Sequence, residues 1–138
     1  MGWKEKLKEW GGGDFTFLSS DGETMIFRVV GEPILIVGTF KKKPQERIAA
    51  PVITAEGFQL FVMGKRLARK LSKFESDFGH AIFIATRHGE EGDINSTYEV
   101  KVLDDEEERI KLFAVDFGDD LPVMIDEAVV AVSGLMQG

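Results

Sequence analysis

The stretch Gly64-Lys65-Arg66-Leu67-Ala68-Arg69-Lys70-Leu71-Ser72-Lys73-Phe74-Glu75-Ser76-Asp77-Phe78 carries a helical period in a chain patterned on either side of it as strand. Steps of 100° per residue place Leu67, Leu71, Phe74 and Phe78 within an arc of about 60°. The same steps put Lys65, Arg66, Arg69, Lys70 and Lys73 on a neighbouring arc of about 140° that holds no apolar side chain. One helix is thus predicted to give its apolar face to a core and its cationic face to solvent or a ligand. Gly79 is its natural stop.

Toward the N-terminus, Thr24-Met25-Ile26-Phe27-Arg28-Val29-Val30 is strongly strand-like. Asp21-Gly22 supplies a turn between it and Phe15-Thr16-Phe17-Leu18, which predicts a hairpin. Gly31-Glu32-Pro33 leads into residues 34–40, a continuous apolar run suited to a strand buried on both faces or curled inside a barrel. Residues 41–46, with Pro44 inside, break that run, and 47–54 and 58–63 read as strands joined by a turn at Glu56-Gly57. Beyond the helix, 81–87 and 97–103 are predicted strands linked by the polar loop 88–96, with Tyr98, Val100 and Val102 on one side of the second. Residues 104–114 suggest a short helix with a charged start, and 121–135 a second, very apolar one. At the other end, residues 3–10 form a short amphipathic piece that stops at Gly11-Gly12-Gly13 and is expected to be a mobile arm.

The chain has 138 residues, 43% of them hydrophobic and 30% charged, the balance of one soluble globular domain. No run approaches the roughly 18 apolar residues of a membrane span, and the charged start is unlike a signal peptide, so a cytoplasmic location is expected, the host cytoplasm if the source is a virus. With no cysteine and two histidines, thiol nucleophiles, thiolate metal sites and most histidine chemistry are excluded. Neither a metal nor a cofactor is expected. The net charge of −7 is unevenly spread: residues 1–103 hold 15 Lys+Arg against 14 Asp+Glu, whereas residues 104–138 hold 2 against 10. A basic working surface beside an acidic segment follows from that asymmetry.

Counted from the strands 24–30, 34–40 and 47–54, the helix at Gly64 and the two final strands, the order β-β-β-α-β-β is that of an oligonucleotide/oligosaccharide-binding (OB) barrel. The expected fold is therefore mainly β: a five-stranded OB-type barrel with the helix between strands 3 and 4, followed by a C-terminal helical segment. Residues 1–14 would be the arm, 15–103 the barrel and 104–138 the acidic segment. Such barrels bind single strands across their second and third strands, stacking bases on aromatics and tracking phosphates with Lys and Arg. Lys41, Lys42, Lys43 and Arg47 fall in that connection, with Phe40 beside them as the best stacking candidate. Lys65, Arg66 and Arg69 on the helix join the expected surface, as do Arg28 and Arg87 on half-apolar strands. Phe27, Phe61, Phe83 and Tyr98 suit a core position better than a stacking platform.

The segments Asp21-Gly22-Glu23, Phe27-Arg28-Val29-Val30 and Ile34-Leu35-Ile36-Val37-Gly38-Thr39-Phe40-Lys41-Lys42 resemble the phage and viral single-stranded DNA-binding proteins related to the T-even helix-destabilising protein. Gly64-Lys65-Arg66-Leu67-Ala68-Arg69-Lys70-Leu71, Phe83-Ile84-Ala85-Thr86-Arg87 and Asp93-Ile94-Asn95-Ser96-Thr97-Tyr98-Glu99-Val100 are similar to that family's basic helix and its last two strands. The resemblance implies an OB fold and a non-enzymatic protein that coats single-stranded DNA, or RNA, without sequence preference during replication, recombination or repair. The family's structural zinc is not carried over, because its cysteine ligands are missing here.

Residues 116–122 are similar to the acidic tips by which bacterial single-stranded DNA-binding proteins recruit replication and repair partners, yet sixteen residues follow Pro122. Two outcomes are open for that region: a docked apolar helix, which could also pair copies of the chain, or a tail that recruits partners and competes with DNA. The alternative function is a partner-binding adaptor or virion assembly module that uses the basic helix and the C-terminal helix. A metal-dependent nuclease built on the carboxylates of residues 104–108 is more distant, because such sites draw carboxylates from separate elements.

Overall fold

The structure, a computed structural model, describes residues 15–40, 42–90 and 95–136, without the side chain of Phe40 or those of residues 135 and 136. The expected N-terminal arm and Lys41 lie outside the described residues. Seven strands form one sheet: β1 (Phe15–Thr16), β2 (Thr24–Val29), β3 (Ile34–Phe40), β4 (Lys43–Thr54), β5 (Gly57–Met63), β6 (Phe83–His88) and β7 (Thr97–Val102). Among the described residues three α-helices join them: α1 (Lys65–Ser72), α2 (Glu106–Ala114) and α3 (Leu121–Met136). Among the described residues no helix is long and apolar enough to cross a membrane.

The sheet is open and mixed, which overturns the closed five-stranded barrel. Its order is β1-β5-β4-β2-β6-β7, with β3 on β4, and β1 runs parallel to β5 while the remaining pairs are antiparallel. Closure would need β7 to pair with the strand at the other end of that order, β1 on the edge of β5. Instead α1 packs on β7 and β4, and the Lys70 ammonium donates to the Tyr98 carbonyl of β7. A helix therefore shields the last strand's backbone, one of the ways a sheet edge is protected without closing. The fold is mixed α/β, and α1 follows the fifth strand, not the third.

The Asp21-Gly22 turn forms, with Gly22 at φ 78°, but the hairpin expected across it does not. Gly22 N donates to Arg87 O at 2.8 Å and Arg87 N to Glu23 O at 2.9 Å, so the turn feeds β2 onto β6. Burial explains the rearrangement: Phe15 and Leu18 enter cores on opposite faces of the sheet, which carries the short β1 away to the edge of β5.

Strand β4 begins at Lys43 and runs through Pro44, inside the stretch 41–46 that the sequence reads as the break between strands 34–40 and 47–54. Its edge opposite β5 is shared, with β3 pairing from Lys43 to Ala49 and β2 at Val52 and Ile53. Pro51 stands at the changeover. Its carbonyl accepts from Val30 N at 2.9 Å, and in a strand the N–H and C=O of one residue point to the same edge. The donor that proline lacks thus falls in the gap between β3 and β2, where no ladder bond is lost. Gly31 makes that gap possible, because a Cβ there would lie 2.9 Å from Pro51 Cγ.

Alternation along β4 and β5 sends Ala50, Val52, Phe61 and Met63 to one face and Ala49, Ile53, Phe58, Leu60 and Val62 to the other, and all are buried. The first face is sealed by Leu67 and Leu71 of α1 together with Phe27, Phe83 and Ala85. Helix α3 seals the second with Ala128 and Val132, and α2 extends it with Leu112 against Ile53 and Ile82. Burial on both faces, expected of β3, belongs to β4 and β5. On β3 only the Ile36 side is covered, while Leu35 and Val37 are 54% and 53% exposed.

Candidate nucleic-acid interface

Helix α1 presents the arrangement that its period implies. Leu67 and Leu71 are buried, whereas Lys65, Arg66, Arg69, Lys70 and Lys73 are exposed on the opposite side. The helix is shorter than expected, ending at Ser72, but a 3₁₀ turn at Glu75–Asp77 continues its path and keeps Phe74 and Phe78 on the core. Their rings lie 5.5 and 5.6 Å from that of Phe83. Lys65 pairs with Glu46 at 3.4 Å at the root of the β3–β4 hairpin. Arg66, Arg69 and Lys73 have no carboxylate partner among the described residues.

That hairpin projects past β5 as a two-stranded arm, because β5 pairs with β4 only from Ile48 onward. Lys42 occupies its loop at φ 65°, the left-handed conformation that a two-residue hairpin turn requires. The register divides the arm's side chains. Ile36, Arg47 and Lys43 share one face, and Leu35↔Ile48 and Val37↔Glu46 the other, which is the α1 side. Lys43 and Arg47 are therefore turned away from the cations of α1, and Arg47 is half-buried with Nη1 donating to Glu46 O at 3.1 Å. Lys42 and Lys43 are exposed; Phe40 is placed by its backbone alone, at the end of β3.

Two further arginines expected at the surface point inward. Arg28 directs Nη1 to the carbonyls of Leu112 and Val115, at 3.4 and 3.3 Å, and its guanidinium lies 4.3 Å from the centre of the Phe113 ring. It caps the end of α2, where free carbonyls and the helix dipole favour a cation. Arg87 is 7% exposed and donates to Gly89 O, Glu90 O and the Tyr98 hydroxyl at 2.9, 2.8 and 2.6 Å. Phe27, Phe61 and Phe83 are wholly buried and form ring contacts with one another through Phe27, as a core role demands.

Between α1 and β7 lies an open groove of about 510 Å³, lined by Lys70, Lys73, Phe74, His88, Thr97, Tyr98, Glu99 and Val100. Its aromatic wall escaped the sequence-based site. Tyr98 was legible as an inward residue of β7 and Lys70 and Lys73 as helix cations, but their meeting depends on how α1 lies against the sheet edge. Among the described residues no group of three His, Asp or Glu is placed to hold a metal ion. The carboxylates of residues 104–108 serve a helix start instead: Asp105 caps α2 by accepting from Glu108 N at 3.1 Å, and Glu106, Glu107 and Glu108 fill the first turn.

Comparisons of the chain with protein-family profiles, curated proteins and solved structures gave no match.

Proposed function

We propose that the protein binds single-stranded DNA without sequence preference, through the cationic face of α1, and carries out no chemistry on it. The observation that carries this reading is the exposed set Arg66, Arg69 and Lys73, without carboxylate partners among the described residues, beside Lys65 and Lys70 on one face of a well-anchored helix. Cations spaced along a rigid element suit a phosphate backbone, whose contacts supply affinity without reading sequence. The resemblance of residues 21–104 to phage and viral single-strand-binding proteins suggests the same ligand, but the OB barrel it implies is not the fold found, and β5 and β4 from Ala49 onward are buried and cannot serve as the strand's path, so the reading rests on α1. The host processes would then be replication, recombination or repair.

A titration of labelled oligothymidine at increasing salt tests the reading. If four to six cations meet phosphates, log affinity falls against log salt with a slope of about −3 to −4, at roughly −0.7 per contact. Affinity independent of salt would overturn it. Exposed Val123 and Val130 on the outer side of α3 favour the second reading, a partner-binding module. Retention of an acidic protein surface, with no affinity for oligothymidine, would select that reading.

A further inference from the structure

We infer that the groove between α1 and β7 seats one nucleotide of the bound strand, its base against Tyr98 and its phosphates on Lys70 and Lys73. This inference rests on the proposed single-strand reading and adds a fixed point to the cationic face. Non-specific single-strand sites need base-sized aromatic platforms beside a line of cations. On α1 alone there is only the line of cations. The groove is lined by Lys70 and Lys73 together with Tyr98, Phe74 and Val100, so both requirements meet there.

The size and rigidity of the groove fit this role. About 510 Å³ falls within the usual span of small-ligand sites, roughly 300–1,000 Å³. Tyr98 is held at both ends before any ligand arrives: its hydroxyl accepts from Arg87 and its carbonyl from Lys70. A ring already fixed loses little rotamer freedom when a base stacks on it, so the stacking energy is not offset by ordering. Arg87 in turn is fixed by the Gly89 and Glu90 carbonyls, so the β6–β7 connection holds the platform. The carboxylate lining the groove, Glu99, lies 3.9 Å from the Lys101 ammonium, which lessens its repulsion of phosphate. From Lys70 and Lys73 the strand continues along Arg69 and Arg66 toward the hairpin root at Lys65.

The full-length protein, oligothymidine and a bromodeoxyuridine-substituted oligothymidine provide the test. Tyr98→Leu, which keeps an apolar side chain but removes the π face, is expected to weaken binding about 5- to 100-fold, the range for one lost base stack. Lys73→Glu, at an exposed position, is expected to weaken it about tenfold without changing the melting temperature. Ultraviolet cross-links should fall on the peptides bearing Tyr98 or Phe74, a readout that holds even if Tyr98→Leu fails to fold. Cross-links confined to the β3–β4 arm, with Lys73→Glu binding as wild type, would overturn the groove, while the α1 surface would still stand if Arg66→Glu with Arg69→Glu weakens binding. Thymidine monophosphate binding as tightly as the oligomer would make this a free-nucleotide site and overturn the strand assignment. No binding of oligothymidine to the unaltered protein would remove both the inference and the reading beneath it.

Discussion

Arg28 turns its guanidinium toward the end of α2, and the local sequence does not distinguish that use from a phosphate contact. Both need an arginine on a half-apolar strand. Its two hydrogen bonds are long, at 3.3 and 3.4 Å, and its Nε is buried without a partner. Arg28→Met would lose the carbonyl contacts and the Phe113 stacking but relieve that unpaired donor, so the expected destabilisation is only about 1 kcal/mol. Arg87→Met removes three hydrogen bonds donated by a buried guanidinium, and a loss of about 2–4 kcal/mol is expected from thermal unfolding. Affinity for oligothymidine should survive the first change and fall with the second, because only Arg87 holds the groove. On the surface, the hydrogen bond and charge of Arg109 hold the Glu106 carboxyl below its ordinary 4.5. A depressed folded-state pKa adds stability above the ordinary value and loses it as pH falls through the depressed one. An NMR titration of Glu106 should move upward in Arg109→Ala.

Among the elements, α1 and the β3–β4 arm compete for the role of principal DNA contact, and the register of the arm decides between them. Lys43 and Arg47 share a face with Ile36, away from α1, whereas Glu46 on the α1 side is already paired with Lys65. Reversing Arg66 and Arg69 to Glu is therefore expected to weaken binding about 10- to 100-fold, with an unchanged melting temperature since neither touches the core. Reversing Lys43 and Arg47 should cost less than a third of that factor, by analogy with exposed charges off the contact line. Equal losses measured by fluorescence anisotropy would put the strand across the arm as well.

For the whole molecule, the charge division along the chain becomes a division in space. Cationic α1 seals one face of the sheet, and α2 and α3, which carry the acidic segment, seal the other. Of the two outcomes open for residues 121–135, the docked helix is the one found: Ala128 and Val132 are buried against Ile36, Leu60 and Val62. An acidic tail tethered beside the DNA would raise affinity when removed, but an anchored helix on the far face has no such reach. Deleting residues 117–138 is expected to uncover the apolar seat, lower stability by on the order of 5 kcal/mol and promote aggregation, with no gain in low-salt affinity. A truncated protein that melts as the full chain does and binds more tightly would reverse that conclusion.

Local pattern alone determined the elements whose signal is periodic: the apolar and cationic arcs of α1, the turns at Gly22 and Gly57, the strands β2, β5, β6 and β7, and the two C-terminal helices. These depend on neighbours within a few residues, so they are readable without a fold. Tertiary structure alone decided the partners of those elements. Whether Phe15 pairs forward to β2 or across to β5, whether Pro44 and Pro51 interrupt β4, and whether Arg28 faces solvent or a helix end are settled by which buried face each residue must join. The open sheet follows from the same cause. Burying Leu67 and Leu71 sets α1 against β4 and β7, which brings Lys70 to the last strand's backbone and Lys73 to the groove that Tyr98 lines.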